Sequence, residues 1–298
     1  MKNRTLSHMR SLTVLALALL VACAPAPGTE TTTTTGAQST TSTLAATTSS
    51  PVATTQQDAG CPQDAVFVDR GRVTRVDQPA SDTNRLGLIS WQVDQGCERF
   101  AIDLETTEGA PATTPPTVVV GFLESRQILR LRIDVDSTVV TDQLVETPLV
   151  DRLFVVRALD GTMFVDLHLA GPAQARVVIS NSPARLALEL QAALDPFSTP
   201  AVVSDRVVVV SPAEGTETGT TVEVSGYART FEASVHIIAS TAGETVAEAT
   251  ATAADWVETW GEFRTTIVLP LGGVSLLVGE ESPEDGQITG PTITLTVQ

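Results

Sequence analysis

The sequence predicts an all-β protein: two β-sandwich-like domains after a disordered Thr-rich tether. Three observations predict it. Apolar residues come in short runs rich in Val, Ile and Leu, set apart by Gly, Pro, Asp and Asn, which is strand punctuation. Several runs alternate apolar with polar residues, as in 100–104 and 129–135, the period of a half-buried strand. No long amphipathic helix pattern interrupts them, and a segment of 37 residues, 24–60, is dominated by Thr, Ser, Ala, Pro and Gly.

The N-terminus comes first. Lys2, Arg4 and Arg10 precede the apolar stretch LTVLALALLV at 12–21. A membrane-spanning helix needs about 20 apolar residues. Ten after a basic start fit the apolar core of a secretory signal instead. The stretch closes on Leu20-Val21-Ala22-Cys23, which resembles the bacterial lipobox. That resemblance implies removal of residues 1–22 as a lipoprotein signal peptide and lipidation of the Cys23 thiol. The alternative is an ordinary secretory signal that ends in cysteine. One acyl chain holds a protein to a membrane only marginally, whereas the two of a diacylglyceryl group anchor it stably. The expected location is extracytoplasmic, lipid-anchored to the outer face of the cell membrane. No later apolar run is long enough to span.

Residues 23–60 then hold the lipidated cysteine and the tether. With almost no large apolar side chain, the tether cannot offset its ordering entropy. As a flexible coil it spans roughly 30–35 Å. Removing 1–22 takes the formal net charge from −17 to −20, because that segment has three basic and no acidic residues. All remaining basic residues are arginine. So acidic a chain is not built to bind nucleic acid through phosphates. Of the three cysteines, Cys61 and Cys97 remain once Cys23 is lipidated. An exported, oxidising compartment favours a disulfide between them, worth roughly 3–4 kcal/mol on the chain-entropy account. A zinc site would need His168 and His236 from different domains and lacks ligand spacing.

The first folded unit is expected over 61–197. Strand runs begin at 65–68 and continue at 86–93, 100–104, 117–121, 129–135, 153–156, 163–169, 176–179 and 185–190. Asp160-Gly161 is the strongest short hairpin signal. Residues 97–191 resemble the AMIN-like domains of exported bacterial proteins. The parts that carry the resemblance are Arg99-Phe100-Ala101-Ile102-Asp103-Leu104, Leu129-Arg130-Leu131-Arg132-Ile133, and the closing Pro183-Ala184-Arg185-Leu186 turn into a last apolar strand. It implies a role in binding peptidoglycan or locating a protein at the envelope.

Residues 198–205 read as a linker, and 206–298 as the second domain, with about seven short strands. Its landmarks are Ser211-Pro212-Ala213-Glu214-Gly215, Ser225-Gly226-Tyr227-Ala228, Phe231-Glu232-Ala233-Ser234-Val235, Trp260-Gly261-Glu262-Phe263 and Glu281-Ser282-Pro283-Glu284-Asp285-Gly286. In this order they resemble the immunoglobulin-like domain of bacterial spore-germination and related envelope proteins. The resemblance implies an Ig-like sandwich, here without the Cys…Trp…Cys core of antibody domains.

Candidate chemistry is sparse. Asp166 and His168 share a strand face, as an acid–base pair or as a solvent-facing pair; no Gly-x-Ser-x-Gly elbow completes a triad. The acidic loop with Glu280, Glu281, Glu284 and Asp285 is a partner-contact surface or a solvated turn; its spacing does not match an EF-hand calcium loop. Trp256, Trp260 and Phe263 form the main aromatic cluster, either a platform for sugar or peptide or sandwich packing. No cofactor and no metal is expected, and no enzymatic activity. The expected function is binding of cell-wall polymer (peptidoglycan) at the outer face of the membrane. The alternative is a protein–protein scaffold or accessory lipoprotein in sporulation, germination or envelope assembly.

Overall fold

The computed structural model describes residues 60–78, 80–123, 126–194 and 199–298. Cys23, the expected signal peptide and all of the tether except Gly60 lie outside the described residues.

Among the described residues strands account for nearly all of the regular structure, which is all-β as the sequence predicts. The first eleven are β1 (Arg72–Val76), β2 (Arg85–Asp94), β3 (Cys97–Glu105), β4 (Val118–Leu123), β5 (Ile128–Ile133), β6 (Ser137–Thr138), β7 (Asp142–Leu144), β8 (Val150–Arg157), β9 (Met163–Leu169), β10 (Ala173–Ser180) and β11 (Arg185–Ala192). The second ten are β12 (Val202–Val203), β13 (Val207–Ser211), β14 (Glu217–Thr218), β15 (Thr221–Ala228), β16 (Ser234–Thr241), β17 (Glu244–Thr252), β18 (Trp260–Val268), β19 (Gly272–Glu281), β20 (Ile288–Thr289) and β21 (Thr292–Val297). Alternation of β-branched with polar residues places one face of each long strand inward. In β3, Phe100, Ile102 and Leu104 are buried and Arg99, Ala101 and Asp103 less so.

Among the described residues three sheets result. Two are local: β10-β11-β3-β2-β6 belongs to the first sandwich and β14-β21-β19-β16-β17, with β20 beside β19, to the second. The third runs through both, in the order β1-β4-β5-β9-β8-β18-β15-β13-β12, with β7 on β8. The join is a short parallel pairing in which Trp260 faces Val156 and Gly261 faces Arg157. A βαβ crossover is the usual source of parallel pairing; here two separate sandwiches meet edge to edge.

Each half of the shared sheet packs one face onto its own local sheet. Phe100, Leu131, Leu153, Val165 and Leu188 belong to the first core. Val209, Val224, Val235, Phe263 and Leu276 belong to the second. The opposite face of the shared sheet carries a third core, of Phe154, Val156, Phe164, Val208, Tyr227 and Trp260. β9 and β15 stand three places apart in that sheet. In a flat sheet they would be roughly 14 Å apart. His168 of β9 nonetheless bonds to Tyr227 of β15, so the sheet curls until its third-core side chains meet.

Curling demands close backbone approach. A Cβ on Gly226 would lie 1.9 Å from the Val208 carbonyl oxygen, so β13 and β15 approach as they do only because position 226 has no side chain.

Two expectations need correction. Residues 65–68 do not form a strand: Val66 is exposed, and only Val68 makes a bridge, to Ala175. Among the described residues this one bridge is the segment's sheet pairing, and a single pair does not make a ladder. Second, Asp166 and His168 do share a face, but neither faces solvent, since that face of β9 is covered by the curl of the sheet.

Candidate functional site

The Asp166–His168 face has a structural explanation. Arg130 of β5 donates two bonds to Asp166, each 2.7 Å, with Asp166 fully buried. The guanidinium also lies 3.9 Å from the Phe164 ring centre. Such bidentate, charge-assisted pairing offsets the desolvation of two buried charges. His168 bonds through Nε2 to the Tyr227 hydroxyl. Burial, opposed by Asp166, pushes the His168 imidazole down to about 4, and burial pushes the Tyr227 phenol well up. The groups are enclosed, and they bind the two sandwiches together.

The surface worth attention lies at the end of the second sandwich, beside the junction. The Trp256 loop is held from the first sandwich. Asp255 Oδ1 accepts from the backbone N–H groups of Trp256, Val257 and Glu258 at 2.6, 2.9 and 3.2 Å, and its Oδ2 accepts from Arg157 Nε at 3.2 Å. Burial pushes this carboxyl up, but those donors outweigh it and leave it below the usual range. Trp260 is buried, and its indole N–H donates to Asp142 of β7 at 3.2 Å.

Opposite Trp256 stands a single 3₁₀ turn, Phe231–Ala233. Glu232 and Ala233 both adopt positive φ, 55° and 60°. Two successive non-glycine residues in this region store strain of order 1–3 kcal/mol each. The outcome is that Phe231 projects into solvent, 64 % exposed, with its ring centre 5.6 Å from that of Trp256 in an edge-to-face pair. Thr230, just before the turn, is fully buried, caps nothing, and its Oγ1 has no hydrogen-bond partner among the described residues. Leaving a buried hydroxyl unsatisfied costs about 1–3 kcal/mol.

These groups border two adjoining clefts. One, of about 590 Å³, is lined by Asp142, Arg206, Arg229, Thr230, Phe231 and Trp256, among others. The next, of about 370 Å³, is lined by Phe231, Glu232, His236, Glu280, Glu281 and Pro283. Phe231 and Glu280 border both. In the larger cleft the arginines are engaged with backbone carbonyls, Arg206 with that of Arg229 at 3.0 Å and Arg229 with that of Val257 at 3.3 Å. Glu280 accepts from the Phe231 N–H at 3.3 Å and lies 3.9 Å from Arg206. Glu281 lies 3.9 Å from His236 Nε2.

The structure thus brings together two expected groups that are distant in sequence. Trp256 and Trp260 from the aromatic cluster, and Glu280 and Glu281 from the acidic loop, border one surface. Phe263 is corrected: it is fully buried in the second core and offers no binding face, because its strand position points away from the cleft. Glu284 and Asp285 are exposed beyond the clefts; Asp285 Oδ1 accepts the Gln287 N–H at 3.2 Å, so it shapes its own turn. Sequence reasoning missed Phe231 as a surface residue. Phe-Glu-Ala-Ser-Val is a motif landmark whose strand begins only at Ser234, and non-glycine residues with positive φ leave no compositional mark.

The predicted disulfide joins Cys61 to Cys97 and ties the segment before β1 to the start of β3. Among the described residues no group of three or more His, Cys, Asp or Glu is placed to hold a metal, and no helix is long and apolar enough to cross a membrane.

Residues 206–287 match the family model of the immunoglobulin-like domain of bacterial spore germination. This domain family is non-catalytic, and the match spans β13 to β19 of the second sandwich. No curated protein and no solved structure matches the chain.

Proposed function

We propose that the protein is a non-catalytic accessory protein of the cell envelope, held through Cys23 at the outer face of the membrane, which recognises a protein partner with its second sandwich. The observation that carries this reading is the match of 206–287 to a spore-germination Ig-like domain whose surface holds the Phe231–Trp256 pair between two clefts. A strained turn, an exposed aromatic pair and an unpaired buried hydroxyl are costly features for an inert surface. They are what a recognition site would retain. The shared sheet and third core support a body that presents this surface rigidly, which lowers the entropy cost of binding. Photo-crosslinking in cells from position 257, exposed and adjacent in sequence to Trp256 of the larger cleft, is expected to capture a specific envelope protein. Its absence from every captured species overturns the reading.

A second reading keeps cell-wall polymer as the ligand. It rests on the resemblance of 97–191 to AMIN-like domains. Co-sedimentation of the full chain with purified sacculi tests it: retention that survives moderate salt supports wall binding, and a protein that stays in the supernatant removes it.

A further inference from the structure

Resting on the protein-partner reading above, we propose that the smaller cleft is a pocket for a lysine or arginine side chain of an extended peptide segment of that partner, with the larger cleft taking the adjacent peptide backbone. Charge is the first argument. Glu232, Glu280 and Glu281 line the smaller cleft, and no arginine does. The chain as a whole carries −17, so its field draws cationic segments toward it. The aromatic rim is the second. Phe231 is 64 % exposed and Trp256 37 %, and a cation within about 6 Å of such a ring is attracted by its π face. The apolar stem of a lysine or arginine has Phe231 to lie against while its head meets the glutamates.

Thr230 adds support that does not depend on charge. Thr230 borders the larger cleft, is fully buried, and its Oγ1 has no hydrogen-bond partner among the described residues. An incoming backbone group completes it, since a hydroxyl both donates and accepts. The cleft arginines do not contradict a cationic ligand. They line the larger cleft only, each engaged with a backbone carbonyl; Arg206 also lies 3.9 Å from Glu280, which leaves Glu232 and Glu281 as the carboxylates for the cation. Cation and backbone thus have separate places, and Phe231 stands between them.

The test uses the full-length chain and a blocked alanine pentapeptide with a central lysine, beside the same peptide with norleucine, the uncharged analogue of similar length. Binding is read from the indole N–H resonance of Trp256, assigned through Trp256→Phe. The lysine peptide is expected to shift it saturably, and the norleucine peptide to bind about tenfold more weakly. Glu232→Gln with Glu281→Gln is expected to weaken the lysine peptide about tenfold, while Glu244→Gln, on an exposed hairpin, leaves it unchanged. Thr230→Val is expected to weaken both peptides alike. Equal binding of the two peptides, or equal loss with Glu244→Gln, overturns the pocket, as does no shift at all. Crosslinking distinguishes the two failures. A partner captured from position 257 whose binding ignores Glu232→Gln with Glu281→Gln leaves the protein-partner reading standing and removes this pocket. No captured partner removes the reading itself.

Discussion

Tyr227 of the second sandwich bonds through its hydroxyl to His168 of the first, and both are buried. Phe154 packs against both, 5.0 Å from the imidazole centre and 5.2 Å from the phenol centre. This contact sits on the concave side of the shared sheet. It explains why His168 is enclosed: its imidazole satisfies a polar group where two β-sandwiches close on each other.

Tyr227 is therefore a coupling residue. Tyr227→Phe leaves the buried imidazole without its partner and is expected to cost about 1–3 kcal/mol. Tyr227→Ala removes a fully buried ring and is expected to cost about 3–5 kcal/mol. The wild-type chain should unfold in one transition, since one sheet runs through both sandwiches. In Tyr227→Ala, hydrogen exchange in β3 and β16 should report separate opening energies. Identical energies in the variant would show that coupling resides in the β8–β18 join alone.

The Arg130–Asp166 pair makes a sharper demand. Removing one member strands the other charge beneath Phe164. Asp166→Asn or Arg130→Met alone is expected to cost about 3–5 kcal/mol. The double variant Arg130→Met with Asp166→Leu is expected to recover much of that loss, because it removes both buried charges. A double-mutant cycle by urea unfolding checks this. Additive losses would mean that the two side chains do not act as a pair.

The sequence made the strands readable because β-branched alternation and turn residues are local signals. Asp160-Gly161 does form the turn of the β8–β9 hairpin, with Gly161 at positive φ. The landmarks Gly226 and Trp260 are explained by tight backbone approach and by the third core. What could not be read was anything that depends on the curl. Phe154, Val156, Phe164 and Tyr227 look like ordinary strand residues, and nothing local says that their outward face is buried. The site divides in the same way. Trp256, Glu280 and Glu281 were visible by residue type, but their proximity depends on loops 24 residues apart being folded to one end of a sandwich. Phe231 was hidden because its exposure comes from two left-handed residues that composition does not announce.

The disulfide acts at a different place. Cys61 and Cys97 are separated by 36 positions. Closing a loop of that size restricts the unfolded chain and contributes about 4 kcal/mol on the entropic account. Reduction is expected to lower the thermal midpoint while leaving the Trp256 resonance in place, since the bridge lies in the first sandwich. A shifted Trp256 signal on reduction would show that the bridge also supports the clefts.

The pH dependence of stability follows from His168. Its ordinary value is 6.5, and burial lowers it to about 4 in the folded protein. Folding therefore favours the neutral imidazole, and between these values the unfolded chain binds more protons than the native one. Stability must rise with pH across this window. It is expected to be full above about pH 6.5, to fall as the pH drops, and to have lost about 3 kcal/mol by pH 4. The carboxylates act lower on the scale. Asp82, which accepts from the backbone of Thr113 and Thr114, and Asp160, which accepts from Thr162, are held below the usual 3.8. Their contribution is present above that value and lost only beneath it. Urea unfolding from pH 4 to 7 should thus isolate the histidine, and His168→Gln should flatten the slope there while leaving the steeper loss below pH 4. An unchanged slope in that variant would assign the acid sensitivity to another group.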